Sequence, residues 1–174
     1  HTAHCSSSPS LPVVSPPGSH PHYPELVVGA LLVDPQGRVF VARFSKIPGH
    51  YAIPGGHVEY GETVAQALVR ELEEETGLTP TRFRLIHVTE RIRPPLYKDG
   101  RHHLVYLDFL VQGWEGTLQL DGEELSDGQW LTIEDTLALP LTHTTRRLIE
   151  RYAQVGPDGP ARYQPDGAQA VETD

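Results

Sequence analysis

Apolar and polar positions along the chain follow two different periods, and the switches between them mark out the elements. Residues 26–33 (LVVGALLV) and 38–44 (RVFVARF) are short, mostly apolar runs rich in β-branched side chains. Between them Asp34-Pro35-Gln36-Gly37 carries Pro at the second and Gly at the fourth position of a turn, so the segment reads as strand, turn and strand. The period then lengthens. Ala65, Leu68 and Leu72 recur at helical spacing and can bury one stripe. Thr63 and Gln66 are placed for a capping box at the start of that helix, and Gly77 suits its left-handed stop. Residues 83–90 and 103–112 return to strand character. The second run sets Leu104, Tyr106 and Asp108 on one face and Val105, Leu107 and Phe109 on the other. Lys98-Asp99-Gly100-Arg101 offers a turn between them. After the apolar run 130–133, residues 144–153 form a second amphipathic helix through Leu148, Ile149 and Tyr152. Strands and helices in this order predict an α/β (α+β) fold, a mixed β-sheet between helices in an α/β/α sandwich.

Composition bounds this picture. With 174 residues and 38% hydrophobic content, the chain can bury one core. Residues 1–24 contain no Asp, Glu, Lys or Arg and are rich in Ser, Pro and His, so they read as a flexible tail. A disordered pair is the expectation for His20 and His22 within it. Residues 155–174 repeat Pro-Asp-Gly without apolar periodicity and read as a second flexible tail, which leaves 25–154 as the domain. The formal charge of −9 argues against a general nucleic-acid surface. No apolar run approaches a membrane span, and no secretory leader pattern is visible. The single Cys5 excludes an internal disulfide, and a cytoplasmic location is the expectation.

The helix carries an anomaly. Glu71, Glu74 and Glu75 stand at i, i+3 and i+4 in its C-terminal half. Like charges at that spacing repel by a few tenths of a kcal/mol per pair. The helix dipole also disfavours negative charge at that end. A hard divalent cation would reverse both penalties, since clustered carboxylates suit oxygen-seeking ions such as Mg²⁺. The bland reading of an acidic helix is a solvated face.

What tips the balance is the whole segment GGHVEYGETVAQALVRELEEETGL, residues 55–78. Gly56, Glu62, Arg70-Glu71-Leu72, Glu74-Glu75 and Gly77-Leu78 stand at the spacing G-x5-E-x7-R-E-U-x-E-E-x-G-U. This resembles the Nudix box of the Nudix hydrolase family at every fixed position. A chance match has a probability on the order of 10⁻⁷, so the signal is strong for the family but weak for the substrate. The flanking LVVGALLVDPQGRVFVARF and the later GEELSDGQWLTIED also resemble the family, so the likeness runs from about residue 26 to 153.

The resemblance implies the same sandwich fold and a hydrolase of diphosphate linkages that uses Mg²⁺, for which Mn²⁺ could substitute. It implies Glu74 and Glu75 as principal metal ligands, Glu71 as a further ligand or the base, and the Gly55 carbonyl as an additional donor. Arg70 would hold a glutamate in place or simply pair with Glu74, and Glu62 would support the loop and helix start. In the later loop Glu123 and Glu124 both qualify as the family's extra acid, with Glu124 preferred; Glu71 against Glu124 as base stays open.

Substrate contacts are sought among Arg43, Arg91 and Arg101 as a phosphate-facing rim, and Tyr51 and Tyr97 as rings for a base. Their plain alternative is surface charge and packing. The expected substrate is a small nucleotide, most simply a nucleoside triphosphate cleaved to monophosphate and pyrophosphate in the MutT-like manner. Pro94, 16 residues beyond Leu78, keeps ADP-ribose or a nucleotide sugar as the alternative, and a non-catalytic nucleotide sensor is a third reading. Monomer and homodimer are both open.

Overall fold

The computed structural model describes residues 23–166. The predicted tail 1–24, with His20 and His22, therefore lies outside the described residues except for Tyr23 and Pro24, as do residues 167–174. The elements are β1 (Glu25–Leu32), β2 (Val39–Phe44), β3 (Tyr51–Ala52), β4 (Gly55–His57), α1 (Val64–Thr76), β5 (Thr79–Ile92), β6 (His103–Glu115), β7 (Leu125–Leu131), α2 (Ile133–Leu137), α3 (His143–Val155) and β8 (Arg162–Gln164). Five strands form a mixed sheet in the order β4-β1-β6-β5-β8, with β1 parallel to β6 and β8 parallel to β5. The other three form a smaller antiparallel sheet, β3-β2-β7.

Consecutive strands β1 and β2 thus belong to different sheets. The turn Asp34–Gly37 closes as expected, with Gly37 N–H donating to Asp34 O at 2.9 Å and Gly37 at φ 79°. Only one bridge, Val33 to Val39, links the two strands before they part. Side chains along β1 then divide the core. Val28, Ala30 and Leu32 pack with Leu68 and Leu72 of α1, while Leu31 and Val33 pack with Leu148, Ile149 and Tyr152 of α3. A strand buried on both faces has to be apolar at consecutive positions, which is why residues 26–33 show a run rather than an alternation.

Helix α1 begins and ends where its sequence predicts. Thr63 accepts from Gln66 N–H at 3.1 Å while the Gln66 side chain accepts from Thr63 N–H at 2.8 Å. Gly77 sits at φ 72° and donates to Glu73 O. An added Cβ at Gly77 would also meet Thr117 O at 3.0 Å. Gly77→Ala is therefore expected to cost about 1 kcal/mol or more and to lower the melting temperature by about 3 °C, readable in a thermal scan.

Three differences from the sequence reading have physical causes. β5 and β6 extend well beyond the predicted runs because pairing partners such as Thr79 with Glu115 continue the ladder through polar residues. α2 is too short to show a period. The chain also does not turn loose at residue 155: β8 pairs with β5 at His87–Arg162, Val88–Tyr163 and Thr89–Gln164. That correction was invisible locally, because three exposed or half-buried residues gain strand character only from their partner. Among the described residues, no helix is long and apolar enough to cross a membrane.

Candidate active site

The helix-end acids lie against the β4 loop. Glu75 is 3% exposed, and its Oε2 accepts from Gly55 N–H at 2.9 Å. Burial pushes its carboxyl up to about 9, and the neighbouring Glu124 and Glu71 carboxyls add to that shift. Glu71 is also held above the usual carboxylate range, by burial first, with Arg70 opposing and Glu74 and Glu124 adding. Glu74, with 60% of its side chain exposed, stands at the outer edge of the group.

The glycines of this loop are explained by close approach. A Cβ at Gly55 would lie 2.1 Å from Val28 O. One at Gly56 would lie 2.3–2.5 Å from the Glu71 carboxyl atoms. Only a residue without a side chain lets strand and carboxylate come so near.

Arg70 does more than pair along its own helix. Its Nε and Nη2 donate to the two Glu62 oxygens at 3.1 and 2.7 Å, and its Nη1 donates to Glu71 Oε1 at 2.8 Å. Nη2 also donates to His57 O at 2.9 Å, whereas Glu74 Oε2 is a weaker partner at 3.4 Å. The Glu62 contact first, and Glu71 after it, raise the guanidinium's pKa against the opposing effect of burial, and Arg70 in turn holds Glu62 below the usual carboxylate range. A planar fork spanning loop, helix start and Glu71 fixes all three at once.

Beside this cluster opens a cavity of about 380 Å³, within the range of small-ligand sites. Gly55, Gly56 and Glu124 line it, and Phe44, Ile47, Ile53 and Leu141 supply apolar wall. Lys46 Nζ lies 3.4 Å from Glu124 Oε1 at the mouth. Glu123, by contrast, stays exposed in the turn and does not line the cavity.

The residues predicted to touch substrate separate into two groups. Arg91 and Tyr97 line the cavity; Tyr97 packs edge-on against His102. Arg43, Tyr51 and Arg101 do not line it. Arg43 Nε bonds Asp127 at 3.0 Å and its guanidinium lies 5.2 Å from the Tyr51 ring centre. Tyr51 is buried in the α3-side core with its hydroxyl on Asp127. Alternation explains this: Phe44 faces the cavity, so Arg43 beside it on β2 faces away. Arg101 belongs to the turn closed by Asp99. Sequence reasoning passed over Asp108, an acid buried in the cavity wall. One signal was available: Asp108 is the only charged residue in the apolar run LVYLDFLV.

The donor set fits a divalent cation. Glu75 is a buried and Glu71 a half-buried carboxyl, both with raised proton affinity next to Glu124, the condition a cation relieves. Among the described residues, no three acids, histidines or cysteines already converge on one point. A cation would draw them together by side-chain rotation from a helix face that carries all three glutamates.

The chain is similar to known proteins. The profile of the NUDIX domain matches residues 24–152. The 8-oxo-dGTP diphosphatase of Escherichia coli K12 is 40% identical over 80 residues, 46% of this chain and 56% of that protein. The nucleoside triphosphatase NudI of E. coli K12 is 33% identical over 111 residues, 59% of this chain and 75% of that protein. A crystal structure of a MutT NUDIX hydrolase from Burkholderia pseudomallei superposes with a TM-score of 0.66 at 30% identity, covering 74% of this chain and 97% of that one. The chain thus spans little more than half the length of the E. coli diphosphatase.

Proposed function

The chain belongs to the NUDIX domain family, and from that premise we propose that it is a Mg²⁺-dependent hydrolase of nucleotide diphosphate linkages, in the first place a nucleoside triphosphate pyrophosphohydrolase. One observation supports this above the others: Gly55 and Gly56, which stand against the motif acids Glu75 and Glu71, line together with Glu124 a mostly apolar cavity that can take a nucleoside. Glu71, Glu74, Glu75, Glu124 and the Gly55 carbonyl would hold the cation. Bound there, Mg²⁺ supplies charge neutralisation on the phosphates and a lowered pKa for an attacking water.

The chain's own groups divide the remaining work. Arg70 keeps Glu71 oriented through the shared contact with Glu62 and the β4 loop. Lys46, beside Glu124, meets phosphate oxygens entering the mouth. Glu124, 40% exposed at the side chain, takes the proton from water, while Glu71 is tied to Arg70. The apolar walls keep the nucleoside end dry.

The test is a panel of nucleoside triphosphates, ADP-ribose, nucleotide sugars and dinucleoside polyphosphates, each with Mg²⁺ and with products identified. Monophosphate plus pyrophosphate from a triphosphate is the expected result, and ¹⁸O from water identifies the phosphorus attacked. AMP plus ribose phosphate as the dominant products would favour the alternative substrate, which Pro94 in the cavity wall supports. Nucleotide binding without metal-dependent cleavage of any substrate would make the chain a sensor and end the enzymatic reading.

A further inference from the structure

Asp108 is 2% exposed on central strand β6, on the sheet face that also packs against α3. It has no role in the acid cluster at the helix end. Its Oδ2 is buried and has no hydrogen-bond partner among the described residues; His87 Nδ1, itself without a partner, stands 3.5 Å away. Behind His87 the Gln164 amide stands 3.1 Å from Nε2; with the amide nitrogen turned to that atom, its oxygen accepts from Arg147 Nη2 at 2.7 Å. In that orientation Nε2 accepts, and the Nδ1 proton points toward Oδ2. The histidine is therefore committed to one side of the carboxyl.

The other oxygen lies against cavity-lining residues. Oδ1 lies where a Cβ on Gly29 would be only 2.3 Å away, and Ile53 Cδ1 would be 2.9 Å from that same Cβ. Gly29, Ile53 and Asp108 all line the cavity. A glycine there leaves room for the acid in a mostly apolar wall. With Oδ2 left only the long contact to His87, a nearly buried carboxyl that lines a ligand cavity gains from a ligand donor on its other oxygen.

We propose that Asp108 is a specificity-determining residue that accepts a hydrogen bond from the exocyclic amino group of the substrate's nucleobase. This rests on the nucleotide-hydrolase reading and names its substrate class: adenine, guanine or cytosine nucleotides over uracil and thymine ones. An amino group can donate to an Oδ1 that carries no proton. A base carbonyl at the same place would face an acceptor. The contact forms equally in the ground state, so it acts on KM more than on kcat.

The experiment compares wild type, Asp108→Asn and Asp108→Ala on ATP, GTP, CTP and UTP with Mg²⁺. In parallel, calorimetry without metal measures binding of the four monophosphates. In wild type, the amino-bearing bases should bind more tightly than uracil. In Asp108→Ala, that preference in kcat/KM should fall by about 10- to 100-fold, carried by KM. The asparagine, which still offers a carbonyl oxygen, should keep part of it. Melting temperatures establish that both variants fold. Should the alanine variant fail to fold, the asparagine variant and the wild-type monophosphate preference decide. Equal loss on all four bases would mean that Asp108 only braces His87 and would overturn the proposal, as would wild-type indifference to the base. If wild type cleaves none of the triphosphates, the hydrolase reading fails instead, while the monophosphate binding still tests Asp108.

Discussion

Glu75→Gln is expected to remove about 10³-fold of the metal-dependent rate, the loss that follows when a main ligand of a catalytic ion is neutralised. Folding should survive. Glutamine has nearly the same shape, and its amide oxygen can still accept from Gly55 N–H. Its neutrality also suits a buried site that already pushes the glutamate's proton affinity up. Steady-state rates with Mg²⁺, a Mn²⁺ titration and a thermal scan check the three parts separately. A folded variant turning over at near-wild-type rate would remove Glu75 from the metal site.

Gly56→Ala is expected to lower kcat by about 10²-fold, because the new methyl group has to displace the Glu71 carboxyl from the β4 loop. The carboxyl is the end of a side chain and can swing outward, so the melting temperature should change by only a few degrees. Glu71 would then leave Arg70, to which it is bonded at 2.8 Å. Unchanged kcat in this variant would mean that Glu71 at its observed position contributes nothing to turnover. The two variants are complementary: one changes charge and leaves shape, the other changes shape and leaves charge.

The parts legible in the sequence are those written in local chemistry. The caps of α1 and the acids at i, i+3 and i+4 were readable because each depends on residues within one or two turns. The partners of Arg70 were only half legible. The i,i+4 contact with Glu74 was visible in the spacing but is the weaker one at 3.4 Å, while the strong Glu62 fork needs the β4 loop folded back. Arg43 and Tyr51 drew attention as substrate contacts because they are polar or aromatic near the motif. Whether such a residue faces cavity or solvent depends on strand parity and on Asp127 from another strand, 84 residues on from Arg43. For Asp108 the sequence shows only a strand face; its setting comes from Gly29 and His87, which the fold brings beside it.

The short strand β8 has one more consequence. It covers the outer border of β5 over three residues only, next to His87 and Thr89. Farther along that border, Arg82 and Arg84 are exposed, and Arg84 reaches across to Pro157 O and Gly159 O. Bulky cations at an unfinished sheet margin discourage a neighbouring molecule from adding a strand of its own. A chain cut after α3 would therefore trade a closed seam for a sticky one, and its first symptom should be aggregation rather than a lost catalytic group.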